Sequence, residues 1–270
     1  MINIQRPIPF VLISSNHGSM IINRNDYRML DENHGYGVGY QLLNTSSFDQ
    51  QEVDFSLALL DRRRLNFGPG VIAIDCGANI GVHTIEWSRL MYGWGEVISF
   101  EAQEKIYYAL AGNIAINNCL NVTAKFAAVG SHCSFIEIPE PNYLIPSSYG
   151  SFELKESAKN EFIGQAIDYK KTKAVPLVSI DSLNLKRLDF IKMDVEGMEE
   201  DVLDGAKESI KNNHPVMIIE ILKSDKFKIE TFLLELGYKF FTIGINLWAI
   251  HQDDPAFKNI KLENGVLTLT

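Results

Sequence analysis

The sequence predicts a doubly wound α/β fold built on a mostly parallel sheet, with a small N-terminal β/α cap in front of it. Three observations carry this. From Gly70 onward, short apolar runs alternate with helical segments, and parallel strands need crossover connections of that kind. A glycine-containing turn, Asp75-Cys76-Gly77-Ala78-Asn79-Ile80-Gly81, joins the first of these runs to a helix. Before residue 68 the pattern differs, with short apolar runs cut by turn formers.

The elements are predicted in order as follows. Phe10 to Ile13 and Ser19 to Ile22 read as a hairpin about Asn16, His17 and Gly18, and Gly37 to Leu43 is a third short apolar run. Phe48 to Leu65 reads as a helix with Val53, Leu57 and Leu60 on one face, which completes a cap over residues 1–68. A catalytic domain over 69–270 then begins with a strand at Val71 to Ile74 and a helix from about Gly81 to Tyr92. Glu96 to Phe100 is the next strand, followed by a helix carrying Ile106, Leu110 and Ile114, and then by a strand from Val122 to Val129. Leu188 to Met193, a helix from Glu199 to Lys211 and the apolar run Val216 to Leu222 continue the alternation. A helix near Lys226 to Leu236 leads to Lys239–Ile243 and Leu247–Ile250, an antiparallel pair about Gly244 and Asn246. Glu137 to Lys173 breaks the alternation and reads as an insertion over the active face.

Composition excludes several classes. The chain has 270 residues, a formal net charge of −9, and no basic cluster beyond Arg62, Arg63 and Arg64. Those three read as a solvated helix end, and a nucleic-acid partner would need a basic stripe. Cys76, Cys119 and Cys133 have no zinc-like spacing, and Cys76 behaves as a small hydrophobe in its strand. No run reaches the roughly 18 apolar residues of a membrane helix. A cytoplasmic protein without membrane or nucleic-acid partners is the expectation.

Three stretches carry chemistry. At the turn, glycines admit close backbone approach and the following helix N-terminus offers free amides. A dinucleotide fingerprint would need its glycines at Gly77, Asn79 and Val82, so the pattern suits a nucleoside ligand without a pyrophosphate. Glu101 lies 26 positions after Asp75, at the end of the next strand, where a carboxylate can accept hydrogen bonds from ribose hydroxyls. Asp189 to Glu199 delivers Asp194 and Glu196 at a strand end, with Lys192 on the same side as Asp194. Glu199 and Glu200 open a helix whose dipole they complement, and Glu220 adds another acid to the edge.

This combination resembles the FkbM-type family of methyltransferases. The matching residues are the Asp75–Gly81 turn, Phe100-Glu101, Ala127-Ala128-Val129-Gly130, Asp194-Val195-Glu196-Gly197 with Glu199, Val202-Leu203-Asp204-Gly205 and Ile219-Glu220-Ile221, spread over about 70–222. The chain departs from the family in having Ala102 where a proline usually follows the acid. The resemblance implies a class I methyltransferase fold, with a seven-stranded sheet ending in an antiparallel strand. It also implies S-adenosylmethionine as methyl donor, S-adenosylhomocysteine as product, and O-methylation of a sugar or natural-product hydroxyl. The glycine turn would hold the methionine part, Glu101 the ribose, and the Ala127–Gly130 loop the adenine. The candidate cofactor contacts are Asp75, Gly77, Ala78, Asn79, Gly81, His83, Glu101, Ala102, Ala127 and Ala128.

An alcohol acceptor must lose its proton as it attacks, which calls for a base in reach. Glu196 is the first candidate and Asp194 the second, with His132 and His83 behind them. No metal ligands are assigned, although several acids at one strand edge are able to hold a divalent cation. The acceptor, a small molecule or carbohydrate, is expected to be selected by the insertion and the cap. A nicotinamide-dependent oxidoreductase and a non-catalytic S-adenosylmethionine-binding protein are the alternatives.

Overall fold

The computed structural model describes residues 7–263 and 266–269, with side chains described for 7–260. The chain divides into two compact units, Met1–Phe48 with Glu137–Lys173, and Asp49–Ile136 with Ala174–Thr270.

In the smaller unit, β1 (Phe10–Ser15) and β2 (Gly18–Asn23) form the expected antiparallel hairpin. A two-residue ladder joins β3 (Arg28–Met29) to β4 (Gly35–Tyr36). The run at Gly37–Leu43 is helical: α1 covers Val38–Thr45, and Val38 and Leu42, one turn apart, both point inward. The 137–173 segment has little regular structure and is fastened to the N-terminal segment by buried polar groups. Asp26 Oδ1 accepts the Tyr149 amide at 3.0 Å and Oδ2 accepts the Gly39 amide at 3.1 Å. Burial nevertheless pushes the Asp26 carboxyl up to about 6, since those amides offset only part of the desolvation. Arg28 donates to Glu161 at 3.1 Å, and Tyr36 donates to the same oxygen.

The larger unit opens with α2 (Gln50–Phe67), so this helix belongs to the sheet-bearing unit and not with the N-terminal hairpin. Its buried face carries Val53, Ser56, Leu59, Leu60 and Arg63. Leu59 and Leu60 pack with Trp87, Met91, Val97 and Phe190 on one face of the sheet. Arg63, expected in solvent, is buried instead, bonded to Asp189 at 3.2 Å and to Asp254 at 2.6 Å. The periodicity of α2 supplies the reason, because residue 63 falls three after Leu60, on the inward face.

Then follow β5 (Val71–Cys76), α3 (Val82–Leu90), β6 (Gly95–Glu101), α4 (Glu104–Ile116) and β7 (Val122–Phe126). The predicted Val122–Val129 strand is two. β7 stays in the main sheet, while β8 (Ala128–Val129) pairs in parallel with Leu177 and Val178. The chain leaves along β9 (Ser134–Pro139) and returns along β10 (Thr172–Val178). Next come β11 (Phe190–Met193), α5 (Glu199–Asp204), α6 (Lys207–Asn213), β12 (Val216–Glu220) and α7 (Lys226–Glu235). The helix expected from Glu199 to Lys211 is interrupted at Gly205, where a Cβ would lie 2.1 Å from the Gly130 carbonyl oxygen. The described chain closes with β13 (Tyr238–Ile243), β14 (Asn246–His251), β15 (Ile260–Glu263) and β16 (Val266–Leu269).

The main sheet has seven strands in the order β13-β14-β12-β11-β5-β6-β7. β5, β6, β7, β11 and β12 run parallel, and β14 is antiparallel to both its neighbours. The reversed strand is last of the seven in the chain but lies one in from the edge, because β13 reaches the edge first and the hairpin folds back. The central strands are buried on both sides, as continuous apolar runs require. Ile74, Ile191 and Ile219 face α5, α6 and α7, while Ala73, Phe190 and Ile218 face α2 and α3. Among the described residues no helix is long and apolar enough to cross a membrane.

Candidate active site

The order of the sheet brings β5, β6, β11 and β12 side by side, and their carboxyl ends gather the residues singled out in the sequence. At the end of β5, register sets Asp75 beside Ser99 on one side and Lys192 on the other. Asp75 is buried, and its Oδ2 accepts the Thr84 hydroxyl at 2.6 Å. Its Oδ1 is also buried and has no hydrogen-bond partner. A carboxylate oxygen in that state is costly unless something cationic or protic completes it.

The turn beyond Asp75 is held by the chain itself. The Gly77 and Ala78 amides donate to the Phe100 carbonyl at 3.1 and 2.8 Å. Gly77 has φ 78°, and a Cβ there would lie 1.8 Å from the Asp194 carbonyl oxygen. The close approach expected at Gly77 is therefore one between two strand ends, not only one toward a ligand. Asn79 also takes a left-handed φ of 49° and turns its side chain onto the Ile80 amide at 2.8 Å, an accommodation open to Asn. Gly81, at φ 94°, sits where a Cβ would come 2.6 Å from Leu110 of α4.

Glu101 stands one βα unit further on and is buried. Oε2 accepts the Asn79 amide at 3.0 Å and Oε1 the Gln103 amide at 2.7 Å. It thus ties the glycine turn to the end of β6, and each oxygen retains acceptor capacity. Burial pushes its carboxyl up to about 7 against the pull of both amides, with Asp194 and Asp75 adding to the rise. Ala102 follows half-buried, and the buried Ala127 donates its amide to the Glu101 carbonyl at 3.2 Å. Ala128 begins β8, which diverges from the main sheet at this point. His83 lies in the first turn of α3, 3.1 Å from Glu52 of α2, with its ring edge-on to Trp87. Glu52 also accepts a hydrogen bond from Asn246.

β11 and β12 bring an acidic group together. Asp194, Glu196 and Glu220 each present a carboxylate oxygen, and the three lie within 4.8 Å of one another. Lys192 Nζ is 2.7 Å from Asp194, and Lys223 Nζ is 2.6 Å from Glu196. Burial works to raise Asp194, but the Lys192 ammonium overrides it and holds this carboxyl below its ordinary range. Burial pushes Glu196 up to about 8, helped by Asp194 and opposed by Lys223. Glu220 is pushed up to about 10 by burial and by the Asp194 and Glu196 charges. Three similar acids are thereby given different proton affinities. Their oxygens are also of the type that holds a hard divalent cation, although the two lysines already offset part of their charge. Glu196 has φ 55°, a backbone state unusual for a residue with a side chain.

Glu199 has a definite structural duty. Its Oε1 accepts the Val195 amide at 2.9 Å, its Oε2 accepts the Gly197 amide at 3.1 Å, and Ser224 donates to the same carboxylate. It clamps the loop that carries Glu196 while also opening α5. His132 is exposed, with its ring nitrogens bonded to Ser131 and Ser134. The reading from sequence did not include Lys223, Ser224 or Glu52. Lys223 follows Glu220 by three, a spacing that invites attention, but no local signal ties Glu52 to residues beyond position 80.

The family model described as the methyltransferase FkbM domain matches residues 75–240, more than half of the chain. A methyltransferase of Sordaria araneosa, sdnD, is 29% identical over 157 residues, covering 50% of this chain and 60% of that protein. Methyltransferase 1 of Beauveria bassiana is 23% identical over 177 residues, covering 61% of this chain and 71% of that protein. Among solved structures, the methyltransferase FkbM of Methylobacillus flagellatus aligns with a TM-score of 0.50 at 17% identity, over 67% of this chain and 44% of that one. The chain thus spans 60% of the first relative and under half of the structural neighbour.

Proposed function

Since this chain belongs to the FkbM methyltransferase family, we propose that it transfers the methyl group of S-adenosylmethionine to a hydroxyl of a sugar or natural-product small molecule. The observation that carries the reading is the pairing of two stations on one sheet edge. One is the Asp75–Glu101 cradle, with an unpartnered buried oxygen on Asp75. The other is the Asp194–Glu196–Glu220 group, whose members differ in proton affinity.

The residues present fit the donor. The lone Asp75 oxygen suits an ammonium, the Glu101 carboxylate suits a pair of ribose hydroxyls, and the small residues Ala127 and Ala128, where β7 gives way to β8, suit an adenine. When bound, the donor supplies a methyl group already activated by its sulfonium. The chain's own residues must then hold the acceptor oxygen in line and take its proton. Asp194 is poorly suited to that role, because Lys192 keeps it ionised and weakly basic. Glu196 is better suited, since a base works best with a proton affinity near the working pH. Lys223 beside it limits how far that affinity rises. His83 is engaged with Glu52, which argues against it as the base.

Titration calorimetry with S-adenosylhomocysteine and with NAD tests the reading. S-Adenosylhomocysteine should bind and NAD should not. Glu101→Ala should weaken the former about ten- to a hundredfold, the worth of hydrogen bonds to a charged group. Unchanged affinity in that variant removes Glu101 from the cofactor site. Failure of a cofactor-loaded wild type to methylate any of a set of glycosides and phenols favours the non-catalytic alternative.

A further inference from the structure

We propose that the cavity between the start of α2 and the β13–β14 turn receives the methyl acceptor, and that this acceptor is an uncharged molecule with an apolar ring or chain beside its hydroxyl. The proposal rests on the methyltransferase reading above. The cavity has a volume of about 560 Å³, within the range of small-molecule sites. Its apolar wall is formed by Phe55, Ile243, Ile245 and Trp248, with Phe55 edge-on to Trp248 at 4.8 Å between ring centres. Among the described lining residues the ionisable groups are Asp49 and Glu52, both acids, and there is no Lys or Arg.

Two features connect this cavity to the chemistry. Asn246 lines it, stands in register opposite Glu220, and donates to Glu52. Glu52 in turn lies 3.1 Å from His83, two residues past the glycine turn. The Glu52–Asn246 pair therefore lines the cavity while Glu52 touches His83 and Asn246 stands opposite Glu220. A molecule resting on Phe55 and Ile245 would have to extend past this pair for its hydroxyl to reach the acidic group. The lining also selects by charge. A phosphate or carboxylate would meet two acids with no cation to pair with it, at a desolvation cost that nothing repays. A neutral ring gains apolar contact without that penalty, and Gln50 and Gln51 on the rim supply amide groups for hydroxyls.

The test uses 2-naphthol as a neutral probe and 2-naphthyl phosphate as its charged match, titrated by fluorescence into protein saturated with S-adenosylhomocysteine. 2-Naphthol should bind one-to-one, and the phosphate at least tenfold more weakly. Ile245, 48% exposed on the turn, is replaced in Ile245→Trp to fill the cavity, and affinity for 2-naphthol should fall at least tenfold. Gln51→Trp, on the exposed rim of α2, serves if the first variant melts early. Absence of 2-naphthol binding, equal affinity for the phosphate, no change in a folded variant, or competition with S-adenosylhomocysteine overturns the proposal. S-Adenosylhomocysteine titrated alone separates the two claims. If it fails to bind, the methyltransferase reading falls and the acceptor assignment with it. If it binds and 2-naphthol does not, only the cavity assignment falls.

Discussion

Glu196 shows how much one side chain can be asked to do. It is held in a left-handed backbone state, ion-paired with Lys223, and pushed up to about 8 by burial and by Asp194. As the base, it must be ionised to accept a proton, so turnover should rise with pH through about 8 and fall on the acid side. Glu196→Gln keeps the size and removes the basicity, and should lower turnover by about a hundredfold or more with S-adenosylhomocysteine affinity nearly unchanged. Lys223→Met removes the charge that restrains the proton affinity, so the acid limb should move to higher pH. A pH–rate profile on both variants checks this, and an unmoved limb in Lys223→Met assigns that limb to another group.

At the scale of elements, the strand-to-helix turn after β5 depends on contacts made by the chain itself. Gly68 and Gly77 have nearly the same φ, 79° and 78°. A Cβ on Gly68 meets nothing within 4 Å, whereas one on Gly77 lies 1.8 Å from the Asp194 carbonyl oxygen. Gly68→Ala should therefore cost only the backbone strain of its φ 79°, ψ 178° state, about 1–3 kcal/mol. Gly77→Ala must also push β11 away from β5 and should cost clearly more, seen as a lower denaturant midpoint. Equal midpoints would mean that the turn relaxes without disturbing β11. Glu199→Ala should cost about 3 kcal/mol by freeing the Val195 and Gly197 amides. It should slow turnover through Glu196 while leaving the cofactor bound. The alternation of β and α, the terminal hairpin and the strand-end positions of Asp75, Glu101 and Asp194 are legible in the sequence, because period and strand-end position are local properties. The partners of these groups are not. Arg63 with Asp189, and Glu52 with His83, meet across 126 and 31 positions, and no local pattern records such a pairing. The split of Val122–Val129 was hidden for a related reason, since both pieces are equally strand-like and only their neighbours differ.

For the whole molecule, the raised carboxyls act together on stability. Glu101 at about 7, Glu196 at about 8, Glu220 at about 10 and Asp26 at about 6 all bind protons more tightly in the folded chain than in the unfolded one. The unfolded chain gives up these protons near pH 4–4.5. Between there and about pH 8 the folded state thus holds more protons, and stability falls as pH rises. Melting of the ligand-free protein should come several degrees lower at pH 8 than at pH 5.5, and Glu220→Gln should flatten the slope. A melting temperature that climbs over this window would mean that the acidic group is ionised and satisfied in the free protein. The division of the chain also bears on how it is made. The unit of Met1–Phe48 is completed by Glu137–Lys173, and the Asp26 carboxylate accepts an amide bond from Tyr149. During synthesis residues up to Phe48 are made well before Tyr149 exists. Until then Asp26 lacks that partner, while the β5–β6–β7 part of the sheet is already being translated. The segment up to Phe48 therefore cannot complete its contacts until the chain has been made as far as Tyr149.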